Sequence, residues 1–93
     1  NNNVFGDFIS KPEGYLFVDM DIASGSPDYW SYPTWPSHLD HILITNELFD
    51  EFENPGSIVQ TFLIEEYIDG GWNKYEHYIS DHRPVGLRLV FDP

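Results

Sequence analysis

The fold turns on "SHLDHILIT", Ser37–Thr45. Read as an extended segment, its alternation places Asp40, Ile42 and Ile44 on one face and Leu39, His41 and Leu43 on the other. Both faces carry apolar residues, the pattern expected of a central strand covered on both sides. Asp40 is then an acid among isoleucines. A buried carboxylate without a partner is costly, so Asp40 calls for a charged or hydrogen-bonding group. His82 is the candidate, because it sits just before a second strand-like segment. On spacing alone, a structural Asp–His pair and a functional one are equally good readings.

That second segment, "PVGLRLVFDP", alternates cleanly. Val85, Leu87, Leu89 and Phe91 face one way, and Gly86, Arg88 and Val90 the other. Working back from it, "WNKYEHY" reads as a polar aromatic loop or a short helix. "DGG" is a break, and "SIVQTFLIEEYI" (Ser57–Ile68) is the longest β-like run. "ENPG" is a turn, and "ELFDEF" a short helix with Thr45 or Asn46 as its cap. Upstream, Asn1–Ser10 carries one apolar helical stripe that ends at Pro12 and Gly14. Tyr15–Met20 is a short strand. "ASGSPDYWSYPTWP" is a long loop pinned by Trp30 and Trp35. The mixture is α+β in a single unit, residues 1–93.

A chain of 93 residues suits one small domain, which buries roughly 60–70% of its unfolded surface. There is no cysteine to staple it, but 16 aromatic residues supply large apolar side chains. The net charge of −12 repels phosphate backbones at long range and suits a site that gathers cations. No apolar run is long enough to span a membrane, and no signal peptide is visible. The chain opens "NNNVFGDF" without a methionine, so its start is expected to have been removed by processing, cloning or proteolysis.

Three further candidates are weak. "DMDIASGSPDYW" from Asp19 begins like a calcium loop but lacks its glycine and its closing glutamate, so a solvated acidic loop is expected. The four histidines show no HExxH spacing and have no cysteine to join them, so no structural zinc site is expected. His77 reads as an ordinary loop residue and His41 as a packing residue. Asp81 stands beside His82. At a strand's mouth, adjacent side chains can converge, one holding a hard cation while the other handles a proton.

Taken together, "SHLDHILIT" followed by "YISDHRPVGLRLV" resembles the C-terminal part of the endonuclease/exonuclease/phosphatase, or deoxyribonuclease-I-like, family. The matching motifs are Ser37-His38-Leu39-Asp40-His41-Ile42 and Ser80-Asp81-His82-Arg83-Pro84-Val85. The likeness is close over Tyr29–Phe91 and loose over Asn1–Asp28. It implies a divalent-metal-dependent phosphoesterase. His82 would meet the scissile phosphate, Asp40 would orient and polarise His82, and Asp81 would lie at Mg2+ or Mn2+. His38 stands where the family often has arginine. The family's N-terminal asparagine, its metal-binding glutamate and its Gly-Asp-x-Asn pair are absent. Gly6-Asp7-Phe8 is followed by Ile9 where asparagine is required.

The expected fold is therefore the C-terminal half of a four-layer αββα sandwich: mainly one antiparallel or mixed β-sheet with one or two short helices. A missing N-terminal half is the first expected partner. A phosphorylated small molecule, lipid or nucleic acid is the expected substrate of the whole protein. The fragment alone should be inactive, and its uncovered sheet face should form a homodimer. The alternative is a non-catalytic β-rich binding module that keeps the fold.

Overall fold

The structure, a computed structural model, describes residues 5–91. Its helices are α1 (Gly6–Ile9), α2 (Met20–Ala23), α3 (Phe49–Glu53) and α4 (Gly71–Tyr78). Its strands are β1 (Tyr15–Phe17), β2 (Leu43–Thr45), β3 (Ile58–Thr61) and β4 (Val85–Arg88). They form two separate two-stranded antiparallel sheets, β1–β2 and β3–β4. The α+β class holds. The single larger sheet is replaced by two hairpin-sized ones, and four short helices stand where one or two were expected. The Asn1–Val4 part of the expected first helix lies outside the described residues.

In the first sheet Tyr15 pairs with Thr45, Leu16 with Ile44 and Phe17 with Leu43. Phe17, Val18 and Ile44 are buried, while Leu16 and Leu43 stay exposed, so β2 is covered on one face only. The expected strand Ser37–Thr45 is thus cut to its last three residues. The cause is local. Ser31 Oγ accepts the N–H groups of Leu39 and Asp40, each at 3.0 Å, and Asp19 Oδ1 accepts that of Ile42 at 2.9 Å. Side chains satisfy the donors that a neighbouring strand would otherwise take.

The second sheet pairs Ile58 with Arg88 through to Thr61 with Val85. Phe62 lies over Gly86, where an added Cβ would come within 2.4 Å of its ring, so a side chain here would have to displace that ring. Ser57 Oγ donates to Glu51 O (2.6 Å) and accepts from Val90 N (2.9 Å), which ties the sheet to the end of α3. The expected long strand stops at Thr61 and gives way to a 3-10 turn, Ile64–Tyr67. Gly70 and Gly71, at φ 94° and 61°, then turn the chain into α4.

The two sheets are joined by the loop of prolines and tryptophans. Four consecutive carbonyls in it accept from the C-terminal part of the chain. Arg83 Nη1 reaches Asp28 O (2.9 Å) and Trp30 O (3.2 Å), Thr61 Oγ1 reaches Tyr29 O (2.5 Å), and Arg83 N reaches Ser31 O (2.7 Å). Trp30 pins the loop, its Nε1 donating to Ile22 O at 3.0 Å. Trp35, 78% exposed, does not.

The body measures 43 × 42 × 20 Å, with a radius of gyration of 15.1 Å against about 12 Å for a compact domain of this length. It is a thin slab. Among the described residues, fifteen large hydrophobic side chains are exposed, Ile58, Phe62 and Phe91 among them, while only Phe17, Val18, Ile44 and Tyr75 form a buried apolar core. No helix among the described residues is long and apolar enough to cross a membrane.

Candidate functional site

Asp40 and His82, 42 residues apart, meet side by side: His82 Nδ1 lies 2.5 Å from Asp40 Oδ2. Asp40 is not the buried strand acid that alternation implied. It lies just ahead of β2, in the segment held by Ser31 and Asp19, and its side chain is 45% exposed. His82, 38% exposed, lies between α4 and β4. Its backbone is fixed from two sides. Ser80 Oγ accepts its N–H at 2.9 Å, and the buried Tyr75 hydroxyl donates to its carbonyl at 2.8 Å. Tyr32 packs edge-on against the imidazole with ring centroids 5.2 Å apart.

With the Nδ1 proton directed at a carboxylate, Nε2 is the nitrogen free to accept. Asp40, His82, Arg83 and Tyr75 line an open pocket of about 340 Å3 together with Ser80, Pro84 and Val85. Burial alone would push the Asp40 carboxyl up. The His82 imidazole, then the Ser31 hydroxyl, overcome this and hold it below the usual carboxylate range. Asp40 therefore stays an anion that can support charge on His82. Asp81 is 55% exposed, with Oδ1 3.8 Å from His82 Nε2.

Among the described residues, the group whose ligand atoms lie close enough together to hold a metal ion is elsewhere. Asp19, His38 and His41 bring their ligand atoms within 4.8 Å of one another. This overturns one sequence reading: Asp19 is not in a solvated acidic loop but fully buried. It meets His38 and His41 in a group that could hold a metal ion, which is not in itself a structural zinc site. Asp81 is not part of that set. The spacing His38-x-x-His41 was a sequence signal for the pair. Asp19, some twenty residues upstream, carried no signal that linked it to them.

The present hydrogen bonding of this trio is specific. Asp19 Oδ2 lies 2.9 Å from His38 Nε2 and 2.6 Å from His41 Nδ1, and Oδ1 accepts from Ile42 N. Ser31 N–H donates to His38 Nδ1 at 3.3 Å. That contact puts the His38 proton on Nε2, aimed at Asp19. A metal at Nε2 would replace this proton and turn Nδ1 into a donor facing another donor, whereas metal-bound histidines normally face an acceptor there. The trio as it stands is a carboxylate clamp on the segment that carries Asp40. Burial alone would raise the Asp19 carboxyl. The Ile42 N–H, then His41 and His38, hold it below its ordinary value.

Sequence reading also missed the pair behind the site. Glu65 Oε2 accepts from Arg83 Nη2 (2.6 Å) and Nε (3.0 Å), both side chains about nine-tenths buried. The Arg83 guanidinium lies over the Trp72 ring, 5.4 Å from its centroid. His77, expected to be an ordinary loop residue, lies in α4 with its ring edge-on to Tyr78.

The buried Tyr75 gives a pH test of this support. Burial, then the Glu65 charge, raises its hydroxyl above 10.0. Its contribution to stability is whole below about pH 10 and is lost as pH rises through the higher folded value. Urea midpoints measured from neutral to alkaline pH are expected to fall less steeply for Tyr75→Phe than for the parent chain. At neutral pH the variant should lose about 1 kcal/mol with the bond to His82 O.

No protein-family model, curated protein or solved structure matches this chain.

Proposed function

We propose that this chain carries the C-terminal part of a divalent-metal-dependent phosphoesterase site, acting on phosphodiester or phosphomonoester bonds. The observation that carries the reading is the 2.5 Å contact between Asp40 and His82, which joins the two motifs on which the family resemblance rests. Asp40 holds the Nδ1–H tautomer of His82 and leaves Nε2, 3.8 Å from Asp81 Oδ1, free to accept. From there Nε2 can take a proton from water or meet a phosphoryl oxygen, and the nearby carboxylate stabilises the imidazolium that results.

Asp81 fits a hard cation in part. It offers one exposed carboxylate beside His82, and magnesium commonly uses one or two protein carboxylates together with water and substrate phosphate. Mg2+ or Mn2+, when bound, would polarise a phosphoryl oxygen and acidify a water. One carboxylate alone makes a weak site, so the remaining ligands belong to the expected N-terminal half. The thin slab and its exposed apolar side chains favour a unit that packs against such a half.

The test is hydrolysis of a chromogenic phosphodiester by the product of the whole natural reading frame, with Mg2+ or Mn2+. Turnover is expected, and His82→Ala should cut it by at least about 10²-fold. The 93-residue chain alone should show little activity, because such residues act as a unit. An inactive whole product would leave the second reading, a non-catalytic binding module. The observation favouring that reading is that, among the described residues, Asp81 is the one carboxylate beside His82 Nε2.

A further inference from the structure

Ser31 is fully buried and uses every polar atom it has. Its hydroxyl oxygen accepts from the N–H groups of Leu39 and Asp40, each at 3.0 Å. Those two bonds occupy both lone pairs, so the O–H proton is free to be donated. The Ser31 hydroxyl is also one of the groups that hold the Asp40 carboxyl below the usual carboxylate range. The Ser31 carbonyl accepts from Arg83 N at 2.7 Å, one residue beyond His82. Its N–H donates to His38 Nδ1 at 3.3 Å, and His38 in turn bonds to Asp19.

One residue therefore holds both members of the candidate pair. Its side chain fixes the backbone of Leu39 and Asp40. Its main chain fixes the segment that carries His82. Asp40 and His82 are each more than a third exposed, and long-range order between two such groups needs a rigid reference behind them. A loop residue that only closed a turn would bond to near neighbours, whereas Ser31 bonds to residues 7 to 9 positions away and to Arg83, far down the chain.

We propose that Ser31 is the positioning residue of the Asp40–His82 pair, holding the main chain that presents the Asp40 carboxylate so that it selects the Nδ1–H tautomer of His82. The catalytic consequence rests on the phosphoesterase reading; the positioning itself does not. Without the Ser31 hydroxyl the main chain at Leu39 and Asp40 is released, and the Asp40 carboxylate can move away from Nδ1. His82 then loses the partner that distinguishes its two nitrogens, and Nε2 no longer stands reliably unprotonated toward the pocket.

The experiment reads the imidazole 15N shifts of His82 in this chain, above neutral pH, where those shifts report which nitrogen carries the proton. The parent chain is expected to hold the proton on Nδ1. Ser31→Ala, which keeps the main-chain bonds, should move His82 to a mixture of tautomers, and Ser31→Thr, which keeps the hydroxyl, should restore the parent signal. Cross-strand contacts between Val59 and Leu87 report that the fold persists. A folded Ser31→Ala chain with His82 still on Nδ1 would overturn the proposal, as would a parent chain without the Nδ1–H form.

If Ser31→Ala does not fold, Ser31→Cys keeps the shape with weaker hydrogen bonds and serves in its place. A mixed tautomer supports the proposal, and an unchanged one overturns it. In the whole protein, Ser31→Ala should lower kcat by about 10²-fold with KM little changed. If the tautomer shifts but the whole protein hydrolyses no phosphoester, the positioning stands and the functional reading fails.

Discussion

Arg83→Ala is expected to destabilise the chain by about 3–5 kcal/mol, the usual cost of removing one member of a buried ion pair. The argument starts from what the substitution strands. Glu65 would be left in the interior without a partner, since Oε1 already lacks one and Oε2 depends on Arg83 alone. The same guanidinium holds the carbonyls of Asp28 and Trp30, and those carbonyls belong to the loop that joins the two sheets. Small domains have only about 5–15 kcal/mol to lose, and this slab has few buried apolar residues. Urea titration should show a large drop in midpoint. Arg83→Lys should recover little, because an ammonium cannot hold the planar two-point contact with Glu65 and the loop carbonyls together. Glu65→Leu combined with Arg83→Met should be less harmful than Arg83→Ala, since no buried charge is then orphaned. A double variant as unstable as Arg83→Ala would mean that the loop carbonyls, not the ion pair, dominate.

Asp19→Asn should cost about 3 kcal/mol or more, despite the near-identical shape. The side-chain oxygen can still accept from Ile42 N, but the amide nitrogen must replace Oδ2, which accepts from two histidines. His41 can shift its proton to the other nitrogen. His38 cannot, because Ser31 N–H already occupies Nδ1. At least one donor–donor clash remains, and two bonds to a charged acceptor, worth about 1.5–3 kcal/mol each, are lost. The damage should spread to the Asp40 segment, since Asp19 and Ser31 together hold residues 39–42. Thermal unfolding of Asp19→Asn and of Asp19→Asn with His38→Gln separates the parts. A glutamine at 38 removes the locked imidazole, so the double variant should be no worse than the single one. A double variant that is worse by the full cost of His38→Gln alone would show that no clash forms.

The sequence by itself carried the α+β class, the short helices, the C-terminal strand and the idea that Asp40 needs His82. Those features follow from local periodicity, from turn residues such as Asp69-Gly70-Gly71, and from the cost of an unpaired acid. It misjudged the setting of Asp40, because alternation assumes that a backbone donor goes to a neighbouring strand. Here the donors of Leu39, Asp40 and Ile42 go to Ser31 and Asp19 instead, so the strand starts late and Asp40 is half open to water. Only the tertiary structure decided the rest: the burial of Asp19, its meeting with His38 and His41, the Glu65–Arg83 pair, and the four loop carbonyls that join two small sheets. These are contacts between segments distant in the chain, nearly all made by single polar side chains, and such contacts impose no period on the sequence that could announce them.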